Sequence, residues 1–163
     1  MYIDLVLCGT SSRALNIFDM NTSQCIRCIA DIHNKPIYQI SLNQGSPYVN
    51  QSSIMYDIYA TAALTDGIKL WDLRTNQCIR YFKEHPNRYY ACNINFSSCG
   101  EYLISGGEDN CLYIYELRTS RIIQKVTGFT DIVSNALFLT SKSKILATTA
   151  NGDAYIYGYE NLS

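Results

Sequence analysis

One short alternating segment recurs along this chain, and it constrains the fold more than any other feature. It is clearest at Ile68–Arg74, where apolar and polar residues alternate up to a Trp-Asp pair. Equivalent segments, taken to align at Asp19, Asp72, Glu116 and Gly158, lie 53, 44 and 42 residues apart. A repeat of about forty residues that carries such a strand is typical of proteins that stack one small sheet per repeat. The chain is therefore predicted to be an all-β repeat protein.

Turn residues divide the rest of the chain into short strands. We predict fourteen of them and no convincing helix, with only three prolines in the sequence. Four repeat units are expected within a single domain, at about 1–30, 31–73, 74–117 and 118–163. The segment 43–57 is rich in Asn, Gln, Ser, Gly and Pro, and we predict that it is a loop insertion that lengthens the first period.

The segment Leu103–Glu116 resembles the WD40 repeat, and the likeness extends over nearly all of the chain. It implies a β-propeller built from four-stranded sheets, of which this chain would supply about three and a half. It also implies a hydrogen-bonded tetrad in each unit, made of a loop His, a strand Ser or Thr, a turn Asp and a strand Trp. The matching residues are His33, Thr61, Asp66 and Trp71 in the second unit, and His85, Ser105, Asp109 and Tyr115 in the third.

About three and a half sheets are too few to close a propeller, since closed propellers have about four to eight sheets and an open arc leaves unpaired sheet edges. Further sheets must therefore come from elsewhere. We expect the chain to be a piece of a longer protein, such as a seven-bladed ring. The run His85-Pro86-Asn87-Arg88 is similar to the last repeats of longer WD40 proteins, whose sequences continue upstream as further repeats. The alternative is that a second copy of the chain completes a seven-bladed ring.

The resemblance implies a scaffold that binds other proteins through its loops rather than an enzyme. In the family, the loops between successive sheets and the turns between the second and third strands lie on one face, here called the top face. Candidate top-face contacts are Asn34, Lys35, Asn87, Arg88, Tyr89 and Thr130. Arg and Tyr most often anchor interfaces, so we favour Arg88 and Tyr89. The alternative interpretation is that Tyr89 or Tyr90 is the first core residue of a strand.

A second hypothesis concerns the segments Trp71–Arg74 and Leu103–Arg118. Leu103–Arg118 is similar to the sixteen-residue box of WD40 proteins that dock onto the adaptor of a cullin-4 ubiquitin ligase, and Trp71–Arg74 repeats the ending of that box. The resemblance implies that the chain is a substrate receptor of that ligase, with Arg74 and Arg118 as the docking cations.

The sequence offers little for catalysis or metal binding. Both histidines occupy equivalent repeat positions, which makes them structural, and neither a nucleophile elbow nor a Gly-rich phosphate loop is present. Cys25–Cys28 is a lone CxxC without a second pair, and on a strand its two thiols are expected to point to opposite faces. We therefore predict no enzyme activity, no cofactor and no metal site.

The charge and the N-terminal sequence bear on which classes of partner and which cellular location to expect. The net charge is −1 and the basic residues are scattered singly, which argues against nucleic acid. Met1–Leu5 does not resemble a signal peptide, and no apolar segment approaches the ~20 residues needed to span a bilayer. Seven cysteines, an odd number, favour reduced thiols. These features predict a cytoplasmic protein without a membrane partner.

Overall fold

The computed structural model describes residues 4–44, 53–139 and 144–158. Within these ranges the chain forms fourteen β-strands and one short 3-10 helix, Ser53–Asp57. The strands form four antiparallel sheets, and in each sheet the spatial order follows the chain order. None of the helices in the described ranges has the length and apolar character that a membrane span requires.

Each sheet corresponds to one repeat. The first sheet contains β1 (Leu5–Gly9), β2 (Leu15–Asp19) and β3 (Gln24–Ile29). The second contains β4 (Ile37–Leu42), β5 (Ile58–Ala63), β6 (Gly67–Asp72) and β7 (Gln77–Phe82). The third contains β8 (Ile94–Phe96), β9 (Tyr102–Gly106), β10 (Leu112–Glu116) and β11 (Ile122–Val126). The fourth contains β12 (Val133–Leu139), β13 (Lys144–Thr149) and β14 (Ala154–Gly158).

The two middle sheets have four strands, and the two outer ones have three. Aligned by repeat, the first sheet holds the second to fourth strands of a unit, and the last sheet holds the first to third. The predicted all-β chain of about three and a half four-stranded sheets is confirmed. Because neighbouring strands are antiparallel, the β5–β6 and β9–β10 turns lie at the same end of the sheets as the loops that lead from one sheet to the next. This end is the top face.

The core lies between adjacent sheets rather than within any one of them. Every residue of β5 is buried, because both faces of this strand are covered, and it is accordingly rich in alanine. Tyr59 and Trp71 pack with the first sheet, whereas Phe82 and Tyr115 meet across the second and third sheets with ring centroids 5.2 Å apart. Burial of one such large side chain contributes roughly 1.5–3 kcal/mol, so each sheet depends on its neighbours for stability.

The third and fourth strands of the first three units share a β-bulge at the same repeat position. It falls between Ile17 and Phe18, between Leu70 and Trp71, and between Ile114 and Tyr115. A bulge sets two residues of one strand against one of its partner and increases the local twist. The repeat is therefore preserved in backbone detail even where the side chains differ.

Two predicted segments differ from the structure. The alternative that Tyr89 or Tyr90 begins the first strand of the third unit is wrong, because β8 begins only at Ile94. The predicted loop insertion 43–57 ends in the 3-10 helix, and its residues 45–52 lie outside the described residues.

Candidate functional site

The second sheet contains a fully connected polar tetrad beneath the top face. Nδ1 of His33 lies 2.7 Å from Asp66 Oδ2, and its Nε2 lies 2.7 Å from Thr61 Oγ1. Trp71 Nε1 donates to the same Thr61 oxygen at 2.8 Å. Because a carboxylate only accepts, the Nδ1–H donates to Asp66; in a neutral imidazole Nε2 then accepts from the Thr61 hydroxyl, whose oxygen accepts the indole N–H. The structure thus joins all four residues predicted for this unit.

Asp66 is the most heavily bonded residue of this sheet. Besides His33 it accepts hydrogen bonds from the backbone and side-chain nitrogens of Asn34, both at 3.1 Å, from Lys69 Nζ at 3.0 Å and from the Tyr81 hydroxyl at 2.6 Å. Burial by itself raises the pKa of Asp66, but these donors outweigh it and lower that pKa to about 2. Burial lowers the pKa of His33 more strongly than Asp66 raises it. The pair is therefore a neutral imidazole beside a carboxylate.

The third sheet does not form the predicted tetrad. His85 Nδ1 lies 2.9 Å from the Tyr115 hydroxyl, which stands where Trp71 stands in the second sheet. Ser105 donates instead to the backbone oxygen of its neighbour Gly106 at 2.9 Å. Asp109 accepts from Tyr113 and Lys125 rather than from His85. The structure brings together only two of the four predicted residues.

Turn length explains this difference. Three residues, 64–66, connect the paired ends of β5 and β6, whereas five residues, 107–111, connect β9 and β10. The longer turn moves Asp109 outward to the top of β10. Gly107 allows this path, because a Cβ there would lie 2.8 Å from both Asp109 Oδ1 and Tyr113 Cε2.

Two buried polar side chains of the loop between β7 and β8 each keep one atom without a partner among the described residues. His85 is 5% exposed and Asn87 4% exposed. Within the described residues, neither Nε2 of His85 nor Oδ1 of Asn87 has a hydrogen-bond partner. Burial lowers the pKa of His85 to about 4, although Asp109 and Glu108 oppose the shift.

Glu108, which sequence reasoning did not select, holds an exposed loop of the top face. Its Oε1 accepts the backbone N–H groups of Arg88, Tyr89 and Tyr90 at 2.6, 2.5 and 2.7 Å. Tyr89 is 79% exposed and Tyr90 55%, so neither is the core residue that the alternative interpretation required. A rigid backbone thus presents two aromatic side chains to solvent. The available signal was an acidic residue in the β9–β10 turn, which repeat topology places at the same end as this loop.

The other predicted top-face residues separate into exposed and buried ones. Asn34, Lys35 and Thr130 are exposed, and Thr130 donates to Asp153 at 2.9 Å. Asn87 is not displayed as predicted. Its Nδ2 donates to the Tyr38 hydroxyl at 3.1 Å and anchors the loop from within.

The two predicted docking arginines have different surroundings. Arg74 Nη2 lies 3.0 Å from Asp72, and its Nε lies 3.5 Å from Asp57. Arg118 is exposed and forms no ion pair within the part of the chain that the structure describes. It borders a groove of about 720 Å³ between the second and third sheets that also contacts Leu70 and Leu117.

The prediction that the two thiols of the CxxC point to opposite faces is wrong. Cys25 pairs with Phe18, and Cys28 pairs with Asn16. Because Phe18 and Asn16 are two residues apart on β2, they share a face, and so do their partners. The bulge supplies the extra residue that makes this possible. The described residues nevertheless contain no group of three His, Cys, Asp or Glu side chains placed to hold a metal ion.

Comparison with known proteins finds similarity to proteins that contain WD repeats. Residues 76–116 match the family described as WD domain, G-beta repeat. The WD repeat domain-containing protein 83 homolog of Dictyostelium discoideum is 30% identical over 91 residues, which are 55% of this chain and 28% of that protein. Pre-mRNA-processing factor 19 of Oryza sativa subsp. japonica is 26% identical over 156 residues, covering 93% of this chain and 27% of the relative.

A third relative, the DDB1- and CUL4-associated factor 4 of Homo sapiens, is 32% identical over 94 residues, which are 58% of this chain and 17% of that protein. This chain therefore spans less than a third of the length of each of these three relatives. Among solved structures, one chain in the crystal structure of the mitotic checkpoint complex matches with a TM-score of 0.76 at 18% identity. The match covers 94% of this chain and 44% of the other. At that identity the likeness concerns the fold alone.

Proposed function

Because the chain belongs to the WD40-repeat family, we propose that it is a non-enzymatic scaffold that binds other proteins through its top-face loops. The observation that carries this proposal is the loop at residues 88–90. Two tyrosines and one arginine are exposed there, on backbone that Glu108 holds in place. Large aromatic and guanidinium groups anchor interfaces, and a fixed backbone reduces the entropy lost on binding.

Affinity capture of the tagged chain from cells, with quantitative mass spectrometry, tests this proposal. We expect the Tyr89→Ala/Tyr90→Ala variant to lose most of its specific interactors. Tyr56→Ala is the matched control, because Tyr56 is an exposed tyrosine on the 3-10 helix at the opposite end of the sheets. Equal capture by the wild-type protein and the double variant, with both folded by circular dichroism, would contradict the top-face assignment.

A second candidate function is that of a substrate receptor of a cullin-4 ligase. It is supported by the similarity to the DDB1- and CUL4-associated factor 4 and by the exposed side chain of Arg118, which forms no ion pair with any residue that the structure describes. If the adaptor binds here, Arg118→Ala should reduce capture of the adaptor at least about tenfold, as for loss of an interface hot spot. Arg74→Ala should have a smaller effect, because Asp72 and Asp57 already hold that guanidinium. Capture that neither substitution alters would contradict this candidate.

The proposal includes a cytoplasmic location. It is supported by the seven cysteines, all of which are free thiols and three of which, Cys25, Cys28 and Cys78, are exposed. Exposed thiols persist where the surroundings are reducing. Imaging of a tagged chain in cells tests this location, and a signal confined to secretory compartments would contradict it.

A further inference from the structure

The fourth sheet ends in an open edge. Its strands lie in the order β12, β13 and β14, and within the described ranges no strand pairs with the outer side of β14. In the second and third sheets the equivalent position is taken by β7 and β11. Alternate backbone N–H and C=O groups of β14 therefore point outward, and groups of this kind readily pair with an added strand.

The open edge repeats the side chains that receive β11 in the third sheet. Tyr155 and Tyr157 stack with ring centroids 6.2 Å apart and planes at 18°, and Tyr113 and Tyr115 stack at 6.4 Å and 19°. In each pair the first tyrosine is the second residue of its strand. Tyr113 and Tyr115 are 3% and 0% exposed, whereas Tyr155 and Tyr157 are only half-buried. The half-buried pair is the one without a fourth strand.

In the third sheet, β11 brings two side chains to the tyrosine pair. Lys125 lies directly opposite Tyr113, and its ammonium group lies 5.1 Å from the centroid of that ring and 2.8 Å from Asp109. Ile122 lies opposite Tyr115 and packs against the same core cluster. A strand that fits such a pair therefore carries a lysine and, three positions before it, an apolar residue.

The turn carboxylate of the fourth sheet still lacks a cation. Asp153 accepts hydrogen bonds from Thr130 and Asn151, both at 2.9 Å. These donors are neutral, so they leave the charge of Asp153 in place. Asp153 forms no ion pair with any residue that the structure describes, whereas Asp66 and Asp109 each bind a lysine. The missing strand is the one that carries this lysine in the third sheet.

The other charges of the edge do not neutralise Asp153. Lys144 is the only basic residue in the described strands of this sheet, and it pairs with Gly158 at the opposite end of β14. Asp131 follows the residue that donates to Asp153, and it too has no ion pair in the described part of the chain. The end of β14 that begins at Ala154 is therefore acidic.

We propose that the outer edge of β14 binds an extended segment of a partner protein as a fourth strand. The segment runs antiparallel to β14, as β7 and β11 do in their sheets. It places a lysine opposite Tyr155, within reach of Asp153, and an apolar residue opposite Tyr157. Backbone hydrogen bonds supply most of the affinity, and the lysine fixes the register. This edge is separate from the loop at residues 88–90, so the proposal goes beyond the scaffold function given above.

Fluorescence anisotropy with the 163-residue chain and a fluorescein-labelled peptide tests the proposal. The peptide has the sequence of residues 120–127, which contains β11. We expect saturable binding, and the amides of β14 should exchange with solvent more slowly when the peptide is present. The same peptide with Lys125→Glu should bind at least about tenfold more weakly, because it places a carboxylate beside Asp153.

Variants of the chain locate the site. Asp153→Asn should weaken binding of the original peptide about fivefold, as for loss of an exposed ion pair. Asp153→Lys should reverse the preference and bind the Lys125→Glu peptide more tightly than the original. Asp109→Asn is the matched control, because it alters the equivalent carboxylate in a sheet that already has its fourth strand. Tyr89→Ala/Tyr90→Ala should bind the peptide normally, so failure of this proposal and failure of the top-face assignment can be told apart.

Four outcomes would overturn the proposal. One is the absence of peptide binding, and another is equal binding of the two peptides by the wild-type chain. The third is weaker binding by Asp109→Asn but not by Asp153→Asn, since the peptide would then be replacing β11 in the third sheet. The fourth is a dimer in light scattering whose β14 amides exchange slowly without peptide, since that would assign the edge to a second copy of the chain.

Discussion

The second and third sheets carry the same repeat but hold their top loops in different ways. In the second sheet, His33 connects the loop to Thr61, Asp66 and Trp71 through a closed set of hydrogen bonds. In the third, the equivalent His85 ring forms one hydrogen bond within the described residues, to Tyr115. Two added residues in one turn separate the turn carboxylate from the histidine, so the connectivity depends on turn length rather than on which residue types are present.

The turn carboxylate of each sheet nevertheless accepts hydrogen bonds from one Lys and one Tyr. The strands that carry the Lys and the Tyr are swapped between the two sheets. Asp66 receives Lys69 from the third strand and Tyr81 from the fourth, whereas Asp109 receives Tyr113 from the third and Lys125 from the fourth. In both sheets the Lys and Tyr are directly paired across the strands. The Lys ammonium lies 5.0 Å from the Tyr ring centroid in the second sheet and 5.1 Å in the third.

In the fourth sheet an aromatic side chain takes the histidine position, and the polar contacts of the top loop run instead among Thr130, Asn151 and Asp153. Phe129 occupies the histidine position and packs edge-on against Tyr155 and Tyr157, with ring centroids 5.1 and 5.3 Å apart. A buried polar network is strongly stabilising only when every member is satisfied, whereas apolar packing has no such requirement. The histidine position therefore carries a complete network in the second sheet, a partial one in the third and aromatic packing in the fourth.

The largest expected difference between the second and third sheets is in the cost of removing each histidine. His33→Ala removes two buried hydrogen bonds, to Asp66 and Thr61, together with the packing of the ring, so we expect a loss of about 3–4 kcal/mol in the free energy of unfolding. His85→Ala removes one hydrogen bond and some packing, and should cost about 2 kcal/mol. Urea denaturation at neutral pH measures both variants. Equal losses would show that the two histidines contribute alike despite their different networks.

Acidification should reveal the same histidines through their lowered pKa values. A histidine that is buried in the neutral form binds fewer protons when folded than when unfolded. Its contribution to the free energy of unfolding is therefore fully present above the unfolded-state pKa of about 6.5. That contribution is lost as the pH falls toward the pKa in the folded protein, which is about 4 for His85. The loss is on the order of 3 kcal/mol for a shift of this size. Asp66, with a pKa near 2, adds a loss only below about pH 4.

Urea midpoints of wild type and of His85→Phe, at pH 7 and pH 5, measure this effect. The substitution imitates Phe129 of the fourth sheet and should flatten the dependence on pH in this window. An unchanged dependence would mean that His85 is not the titrating group.

The tyrosines of the exchanged pairs give a smaller and more selective effect. Tyr81→Phe removes a donor from the buried Asp66 and should cost about 1–2 kcal/mol. Tyr113→Phe removes a donor from Asp109, which solvent can reach, and should cost less than about 1 kcal/mol. Thermal unfolding of the two variants side by side measures the difference. A larger loss for Tyr113→Phe would contradict the assignment of Asp66 as the more buried carboxylate.

Substitution of Glu108 should change the overall free energy of unfolding least and should act mainly on the loop at residues 88–90. Glu108→Gln replaces an ionised acceptor with a neutral one and should cost no more than about 1 kcal/mol overall. The amides of Arg88, Tyr89 and Tyr90 should exchange with solvent much faster, because they lose their strongest acceptor. Hydrogen–deuterium exchange measures this, with the amides of β5 as internal control. Unchanged exchange at these three amides would show that the loop is held by other contacts.

Much of the fold could be predicted from the repeat and its turns. The Trp-Asp segment and its equivalents located the third strand of each unit, and clusters of turn residues separated the other strands, which gave fourteen in all. The four tetrad residues of the second sheet followed from the resemblance, because there the turn has the length that brings Asp66 to His33. The Arg88–Tyr90 loop could be placed on the top face for the same topological reason.

Only the tertiary structure decided which of these residues meet. The turn at 107–111 separated Asp109 from His85, the bulge at Phe18 placed Cys25 and Cys28 on one face, and Glu108 captured the backbone of residues 88–90. Each of these outcomes depends on where a backbone path ends in space, to within about the length of a hydrogen bond. Residue types and spacing determine which partners are chemically suitable, whereas the packing of one sheet against the next determines which partner is within reach.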